Sequence, residues 1–299
     1  MFADRHSRTA LAAAFYRAHH HLHAEPKIFD DTYAHLMLTA AETAAFATRL
    51  MRDGRERGFP ADDDIELIAR TVSQLSAAPT VLARARYTED RLALAIQRGV
   101  SQYVLIGAGL DTFALRRADL SDRLSVFELD HPSSQADKRE RLTAAGLAIP
   151  DNLYFCPIDF ERESVIDALG RMPFRFDQAA IFGWLGVTMY LTRQAVEGTL
   201  LAIGRGAAGS EIIFDFMHPD AFAETAPPSI RKMLERARAV GEPMVTGIDP
   251  ASLSPMLEAA GWTVVEQLDA AEVDRRYFAG RSDGYRAGRL GRLACARVS

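Results

Sequence analysis

The chain has 299 residues, of which 48% are hydrophobic and 25% are charged, and its formal net charge at pH 7 is −5. This composition is typical of a globular protein, and the acidic balance argues against a nucleic-acid substrate, which usually needs a basic face. No apolar stretch reaches the roughly 18 residues of a membrane span, residues 1–8 do not resemble a signal peptide, and the two cysteines, Cys156 and Cys295, have the apolar neighbours of reduced core residues. We therefore expect a cytoplasmic protein with no nucleic-acid or membrane partner, and a homo-oligomeric state stays open.

The first 99 residues are predicted to be helical. Ser7 can cap a helix over residues 9–22, Asp30 or Asp31 can start a second helix that ends near residue 51, and further helices are predicted at residues 63–77 and 81–97. We interpret residues 1–99 as an N-terminal helical cap. The run 19–23, His-His-His-Leu-His, places histidines four residues apart, but the glutamate of a metalloprotease motif is missing. We expect a polar helix surface there and no metal site.

Strands alternate with helices from residue 103 onward. Apolar runs predict strands at residues 103–106, 126–130, 153–158, 179–182 and 211–216, then a strand at 263–266 and an antiparallel one at 292–298. Helices are predicted at residues 113–117, 193–204 and 252–260. This order predicts an α/β fold over residues 100–299, with a doubly wound, mainly parallel, seven-stranded Rossmann-like sheet whose last strand is antiparallel.

Residues 217–250 interrupt this alternation. They contain Pro219, Pro227, Pro228 and Pro243 around an amphipathic segment at residues 229–239, and they follow the fifth strand at the edge where such sheets bind ligands. We therefore predict that residues 217–250 form a lid insertion over the substrate.

A glycine loop follows the first strand, and its residues indicate which class of ligand it binds. Gly107 and Gly109 lack a Cβ, so the backbone can turn tightly and approach a ligand. Thr112 stands where a dinucleotide fingerprint has its third glycine, which disfavours a nicotinamide-dependent oxidoreductase. Asp111 would repel a pyrophosphate. A ligand with a positive centre and no phosphate, such as S-adenosylmethionine, fits this loop better.

Acidic residues also follow the next two strands. Asp130 comes about 20 residues after the glycines, where a carboxylate can bind both ribose hydroxyls. Asp159 could accept a hydrogen bond from an adenine amine while Phe160 covers the ring. Because the carboxyl ends of parallel strands share one edge of a sheet, Asp111, Asp130 and Asp159 are expected to lie together.

Four blocks of the sequence, residues 102–112, 127–132, 159–160 and 184–192, resemble the leucine carboxyl methyltransferase family, and in particular its bacterial branch of small-molecule and polyketide O-methyltransferases. The resemblance implies a class I methyltransferase that uses S-adenosylmethionine. It implies that Arg84 pairs with the methionyl carboxylate, with Arg86 as a neighbour that could substitute for it. It also implies that the backbone of Gly107 and Gly109 passes under the cofactor. The remaining cofactor-binding residues that it implies are Asp130 for the ribose and Asp159 with Phe160 for the adenine. The carboxyl methyltransferases have a glutamate where this chain has Leu185, which argues against a protein carboxylate as substrate.

The acceptor chemistry is left open between a carboxylate, which needs no base, and a phenol, which needs one near its hydroxyl. The candidate catalytic residues are His218 and Tyr190, although His218 could instead cap a loop and Tyr190 could pack against a helix start. We expect an O-methyltransferase whose partner is a small-molecule, polyketide-like acceptor. The alternative is a catalytically inactive methyltransferase fold that binds the cofactor as a regulatory protein.

Overall fold

The structure is a computed structural model that describes residues 7–75 and 77–299. The expectation that residues 1–8 form no signal peptide falls mostly outside the described residues. None of the described helices is both long and apolar enough to cross a membrane.

A seven-stranded sheet forms the centre of the molecule, with the strand order β3-β2-β1-β4-β5-β7-β6. Strands β1 to β5 run parallel to one another, and β7 runs antiparallel to both β5 and β6. The predicted doubly wound sheet with an antiparallel last strand is confirmed. The strand bounds are β1 Gln102–Ile106, β2 Ser125–Asp130, β3 Leu153–Pro157, β4 Ile181–Trp184, β5 Glu211–Met217, β6 Trp262–Leu268 and β7 Gly291–Val298.

Helices precede the sheet and cover both of its faces. Their bounds are α1 Arg8–His23, α2 Ala40–Glu56, α3 Asp64–Ser73, α4 Ala77–Gln97, α5 Phe113–Arg116, α6 Pro132–Ala144, α7 Val165–Leu169, α8 Arg193–Ile203, α9 Pro228–Ala239, α10 Pro250–Ala259 and α11 Ala270–Val273. Short 3₁₀ helices lie at Ala34–Met37, Ala118–Leu120, Thr188–Tyr190 and Pro219–Phe222, and a π-helical turn lies at Asp274–Phe278.

The two faces of the sheet carry separate apolar clusters because successive strand residues point to opposite faces. On one face, Leu105 and Ile213 pack in a cluster with Leu82 of α4. On the other face, Val104 and Phe214 belong to a cluster that includes residues of α8 and α10. The helix α4 thus runs along one face of the strands and ends beside their amino ends, where Arg98, just after the helix, pairs with Glu211 at the start of β5.

The helix starts follow local capping signals, and two predicted starts are wrong. Ser7 caps α1 as predicted, by accepting a hydrogen bond from the Ala10 N–H at 3.1 Å. The second helix does not start at Asp30 or Asp31, because Thr39 and Glu42 form a capping box that begins α2. The helix α4 begins at Ala77 and not at residue 81, because Pro79 falls in its first turn, where a missing N–H costs nothing. Correspondingly, α3 ends at Ser73 and does not extend to residue 77.

The histidine run in α1 is not the polar surface that the sequence predicted. His19 is 8% exposed and His20 is fully buried. His19 stacks on Phe15 with ring centroids 6.0 Å apart, and His20 Nε2 accepts a hydrogen bond from the Ile28 N–H at 2.8 Å. Both rings are covered because other parts of the chain pack on more than one side of α1.

Candidate functional site

The glycine loop lies in a crevice between β1 and β4, where the strand order reverses. Gly107 has φ +73°, and a Cβ there would lie 2.5 Å from the Val187 side chain, which follows β4. The loops after β1 and β4 therefore touch, and only a residue without a side chain fits at this point. Asp111 Oδ1 accepts a hydrogen bond from the Phe113 N–H at 2.7 Å, which holds the turn before α5, whereas the Thr112 hydroxyl donates to Asp31 at 2.6 Å.

The carboxylate of Asp130 lies directly beneath the glycine loop. It accepts hydrogen bonds from the Gly109 N–H at 2.6 Å and from the His131 N–H at 2.7 Å. Burial raises the pKa of Asp130 even though both bonds favour the charged form. The structure therefore brings Asp130 and the glycine loop together, as the sequence predicted for a ribose-binding acid.

Asp159 and Phe160 follow β3 at the same edge of the sheet. Asp159 Oδ1 accepts a hydrogen bond from the Glu161 N–H at 3.0 Å, and the Arg162 guanidinium lies 3.4 Å from the other oxygen. Phe160 is partly buried and packs against the apolar cluster of the second sheet face. An acid and an aromatic ring thus stand next to each other beyond β3, an arrangement that can receive an adenine ring.

Arg84 forms an ion pair that the sequence analysis missed. Its Nη1 lies 2.9 Å from Oδ2 of Asp215 in β5, and Asp215 Oδ1 accepts a hydrogen bond from the Gly186 N–H at 2.5 Å. Gly186 has φ +72°, and a Cβ there would lie 2.5 Å from Arg84 Nη2. The sequence signal for Asp215 is an acid inside the otherwise apolar run of β5, but its partner is 131 residues away in the chain.

Tyr190 lies next to the N-terminal turn of α1. Its hydroxyl lies near the Thr9 side chain, and burial raises its pKa to about 12. A Cβ at Gly109 would lie 3.2 Å from the Ala10 side chain, so the first turn of α1 also covers the glycine loop. At neutral pH the Tyr190 hydroxyl keeps its proton, which makes it a hydrogen-bond donor and a poor general base.

The 217–250 segment contacts the N-terminal helices through charged groups. The Glu242 carboxylate accepts hydrogen bonds from the N–H groups of Arg8 and Thr9, at 3.0 and 3.1 Å, and from the Thr9 hydroxyl. Arg236 of α9 lies 2.8 Å from the buried carboxylate of Asp53 in α2. The first N–H groups of a helix have no partner within the helix. Glu242 accepts hydrogen bonds from two of them, and its negative charge interacts favourably with the positive end of the α1 dipole.

The same segment brings its own apolar cluster to the carboxyl edge of the sheet. The backbone N–H of Val245 donates to the carbonyl of Met189 at 2.8 Å, which holds the segment against the loop after β4. The buried members of the cluster are Met189, Met217, Ala221, Ala226 and Ile230.

His218 caps the 3₁₀ helix Pro219–Phe222. Its Nδ1 accepts a hydrogen bond from the Asp220 N–H at 3.2 Å, and the Asp220 carboxylate lies 3.4 Å from the same nitrogen. This is the capping role that the sequence analysis kept as the alternative to catalysis. Across residues 7–75 and 77–299, no group of three or more histidine, cysteine or acidic side chains is arranged to hold a metal ion.

Comparison with known proteins finds relatives along most of the chain. The leucine carboxyl methyltransferase family matches residues 10–204. YktD of Bacillus subtilis (strain 168), named as a candidate S-adenosyl-L-methionine-dependent methyltransferase, is 33% identical over 293 residues that cover 96% of each chain. A protein of Mycolicibacterium smegmatis with the same designation is 28% identical over 89% of this chain and 84% of its own length.

Crystal structures with a similar fold are also known. A DUF574 family protein from Streptomyces avermitilis superposes with a TM-score of 0.58 at 16% identity, over 96% of this chain and 97% of that one. A candidate methyltransferase from Thermobifida fusca superposes with a TM-score of 0.51 at 17% identity, over 96% of this chain and 94% of that one. At such identities the similarity concerns the arrangement of the sheet and helices.

Proposed function

This chain belongs to the leucine carboxyl methyltransferase family and is an S-adenosylmethionine-dependent methyltransferase, and from this premise we propose that it methylates an oxygen of a small, polyketide-like metabolite. The proposed acceptor oxygen is that of a carboxylate or a phenol. The cofactor supplies a methyl group on a positively charged sulfur, and the residues of this chain have to hold acceptor and cofactor in line.

The residues at the carboxyl edge of the sheet fit this cofactor. The glycine loop passes close to the loop after β4, and the half-buried carboxylate of Asp130 offers acceptor oxygens beneath it. Asp159 and Phe160 would hold the adenine. Arg84 presents a guanidinium, whose fork-shaped donors suit the methionyl carboxylate.

The observation that carries the proposal of a small acceptor is the enclosure of this edge by the 217–250 segment. Glu242 joins that segment to the start of α1, and the ion pair between Arg236 and Asp53 joins it to α2. A site enclosed in this way suits a small molecule better than an extended polymer. Methionine and isoleucine side chains in the segment supply an apolar, adaptable wall for an acceptor with a hydrocarbon or aromatic body.

Two side chains at the site favour a carboxylate acceptor over a phenol. Tyr190 is protonated at neutral pH, and burial raises its pKa further, to about 12, so it can donate a hydrogen bond to one carboxylate oxygen while the other is methylated. His218 Nδ1 is engaged in capping. A carboxylate reacts without losing a proton, so this arrangement is sufficient for it.

The test is a methyl-transfer assay with S-adenosylmethionine that carries a deuterated methyl group. The acceptors are a matched set of aromatic carboxylic acids and phenols of polyketide type, and mass spectrometry follows the labelled product. We expect a labelled methyl ester that mild base hydrolyses, whereas a methyl ether would survive. The Asp130→Ala variant is the control for enzyme-dependent transfer. Labelling of nitrogen, carbon or protein instead would contradict the proposal, and cofactor binding without turnover on any acceptor would support the inactive regulatory alternative.

A further inference from the structure

Arg84 and Asp215 place two opposite charges side by side at the edge that holds the cofactor. Asp215 is only 2% exposed, and its carboxylate is charge-paired with Arg84 at 2.9 Å. A carboxylate has about four acceptor positions and a guanidinium has five N–H donors. Among the described residues, this pair uses one donor of Arg84, while Asp215 accepts from Arg84 and from the Gly186 N–H. Both groups therefore keep hydrogen-bonding capacity for a further partner.

The position of the pair matches one end of the cofactor. The crevice between β1 and β4 separates Asp130 at the end of β2 from Asp215 in β5, since the strand order is β2-β1-β4-β5. A ligand whose ribose lies on Asp130 extends across the crevice with its other end toward Arg84 and Asp215. In S-adenosylmethionine that end is an amino acid, which carries an ammonium and a carboxylate on one carbon atom.

We propose that Asp215 binds the α-ammonium group of the cofactor while Arg84 binds its carboxylate, so that the ion pair recognises the amino-acid end as a zwitterion. Without cofactor the two side chains neutralise each other, which offsets the cost of burying either charge. With cofactor, each gains a charge-assisted hydrogen bond to the ligand group of opposite sign. The inference rests on the use of this cofactor and is independent of the acceptor proposed above.

Gly186 is part of the same arrangement. Its N–H donates to Asp215 at 2.5 Å, and a Cβ at this residue would lie 2.5 Å from one guanidinium nitrogen and 2.7 Å from the other. The absence of a side chain at Gly186 thus allows Arg84 to reach Asp215. The competing explanation is that Asp215 contacts no ligand and only positions Arg84.

Three ligands that differ at one carbon atom distinguish these explanations by isothermal titration calorimetry, with no acceptor present. They are S-adenosylhomocysteine, its analogue without the amino group, 5′-S-(3-carboxypropyl)-5′-thioadenosine, and its analogue without the carboxyl group, 5′-S-(3-aminopropyl)-5′-thioadenosine. We expect Asp215→Asn to weaken S-adenosylhomocysteine and the aminopropyl analogue by about tenfold or more, and to change the carboxypropyl analogue by less than about threefold. Arg84→Gln should do the opposite: it should weaken binding of the carboxypropyl analogue and change binding of the aminopropyl analogue little.

The proposal is overturned if Asp215→Asn weakens the carboxypropyl analogue and spares the aminopropyl analogue, since that pattern belongs to a residue that only positions Arg84. It is also overturned if Asp215→Asn changes none of the three affinities. The unchanged protein gives a second measurement that does not depend on the folding of a variant. It should bind S-adenosylhomocysteine at least about tenfold more tightly than the carboxypropyl analogue, and equal affinities would show that the ammonium group is not recognised.

Discussion

At the scale of single residues, the cofactor site depends on charged groups that are partly buried and hydrogen-bonded. Asp130→Ala would remove the proposed ribose acceptor and leave the Gly109 N–H without its partner. We predict that this change weakens binding of S-adenosylhomocysteine by more than about tenfold, or roughly 1.4 kcal/mol, measured by titration calorimetry. We expect a similar loss for Arg84→Ala.

Arg86→Ala is the matched control because Arg86 lies in the same helix as Arg84 but makes an ion pair with Asp90, at 2.8 Å, on a half-exposed surface. Exposed ion pairs of this kind contribute little, so affinity should stay within about threefold. If Arg86→Ala loses affinity while Arg84→Ala does not, the residue assigned to the methionyl carboxylate is wrong by two positions.

At the scale of elements, the 217–250 segment is joined to the N-terminal helices and not to the strands that bind the adenosine. We predict that deletion of residues 221–239, replaced by a short Gly/Ser linker, leaves cofactor affinity within a few-fold but abolishes methyl transfer. The reason is that acceptor and methyl group have to be aligned in an enclosed, water-free space. The deletion removes Arg236, so the same variant should carry Asp53→Asn to avoid a buried unpaired carboxylate.

The two measurements are made on one preparation, cofactor binding by calorimetry and turnover on the acceptor found above. The Asp53→Asn change alone, with the segment intact, is the control. Turnover that survives the deletion, or cofactor binding that is lost although the protein stays folded, would contradict the role of the segment as an acceptor lid.

At the scale of the whole molecule, two buried histidines in α1 make the fold sensitive to acid. Desolvation lowers the pKa of His19 to about 3 and that of His20 to about 4, whereas the ordinary value is 6.5. Between about pH 4 and pH 6.5, the two histidines are therefore protonated in the unfolded chain but remain neutral in the folded chain. Their stabilising contribution is complete above about pH 6.5 and falls toward pH 4, by about 1.4 kcal/mol per pH unit for each histidine.

The test is urea unfolding at several pH values between 5 and 7, a range above the titration of most carboxylates. We predict that His19→Leu reduces the pH dependence of the unfolding free energy by about 1.4 kcal/mol per pH unit at the acidic end of this range. His23→Leu on the exposed end of α1 is the control. An unchanged slope in the His19 variant would mean that His19 accepts its proton without unfolding.

Much of the fold and part of the site follow from local patterns in the sequence. Short apolar runs predicted all seven strands, and the alternation of strands with helices predicted a parallel sheet. Because parallel strands present their carboxyl ends at one edge, the sequence also predicted that the glycine loop and Asp130 meet, and the structure joins them through the Gly109 N–H. The N-cap at Ser7 was also predictable, because a helix cap depends only on the cap residue and the three residues that follow it.

The polar helix α6, in contrast, was not predicted. It carries Lys138 and Arg141 in buried positions, where they pair with Glu128 and with Asp137 and Glu42. Periodicity of apolar residues cannot reveal a helix whose buried side is charged.

The sequence by itself determined the class of fold, the succession of strands and helices along the chain and the identity of the glycine loop with its following acid, because these depend on spacing within short stretches. Only the tertiary structure decided that Asp215 pairs with Arg84, that Glu242 meets the start of α1, and that His19 and His20 of α1 are buried. These contacts join segments that are far apart in the chain. They depend on how helices pack on the sheet and on each other, and the spacing of residues along the chain carries no signal for that packing.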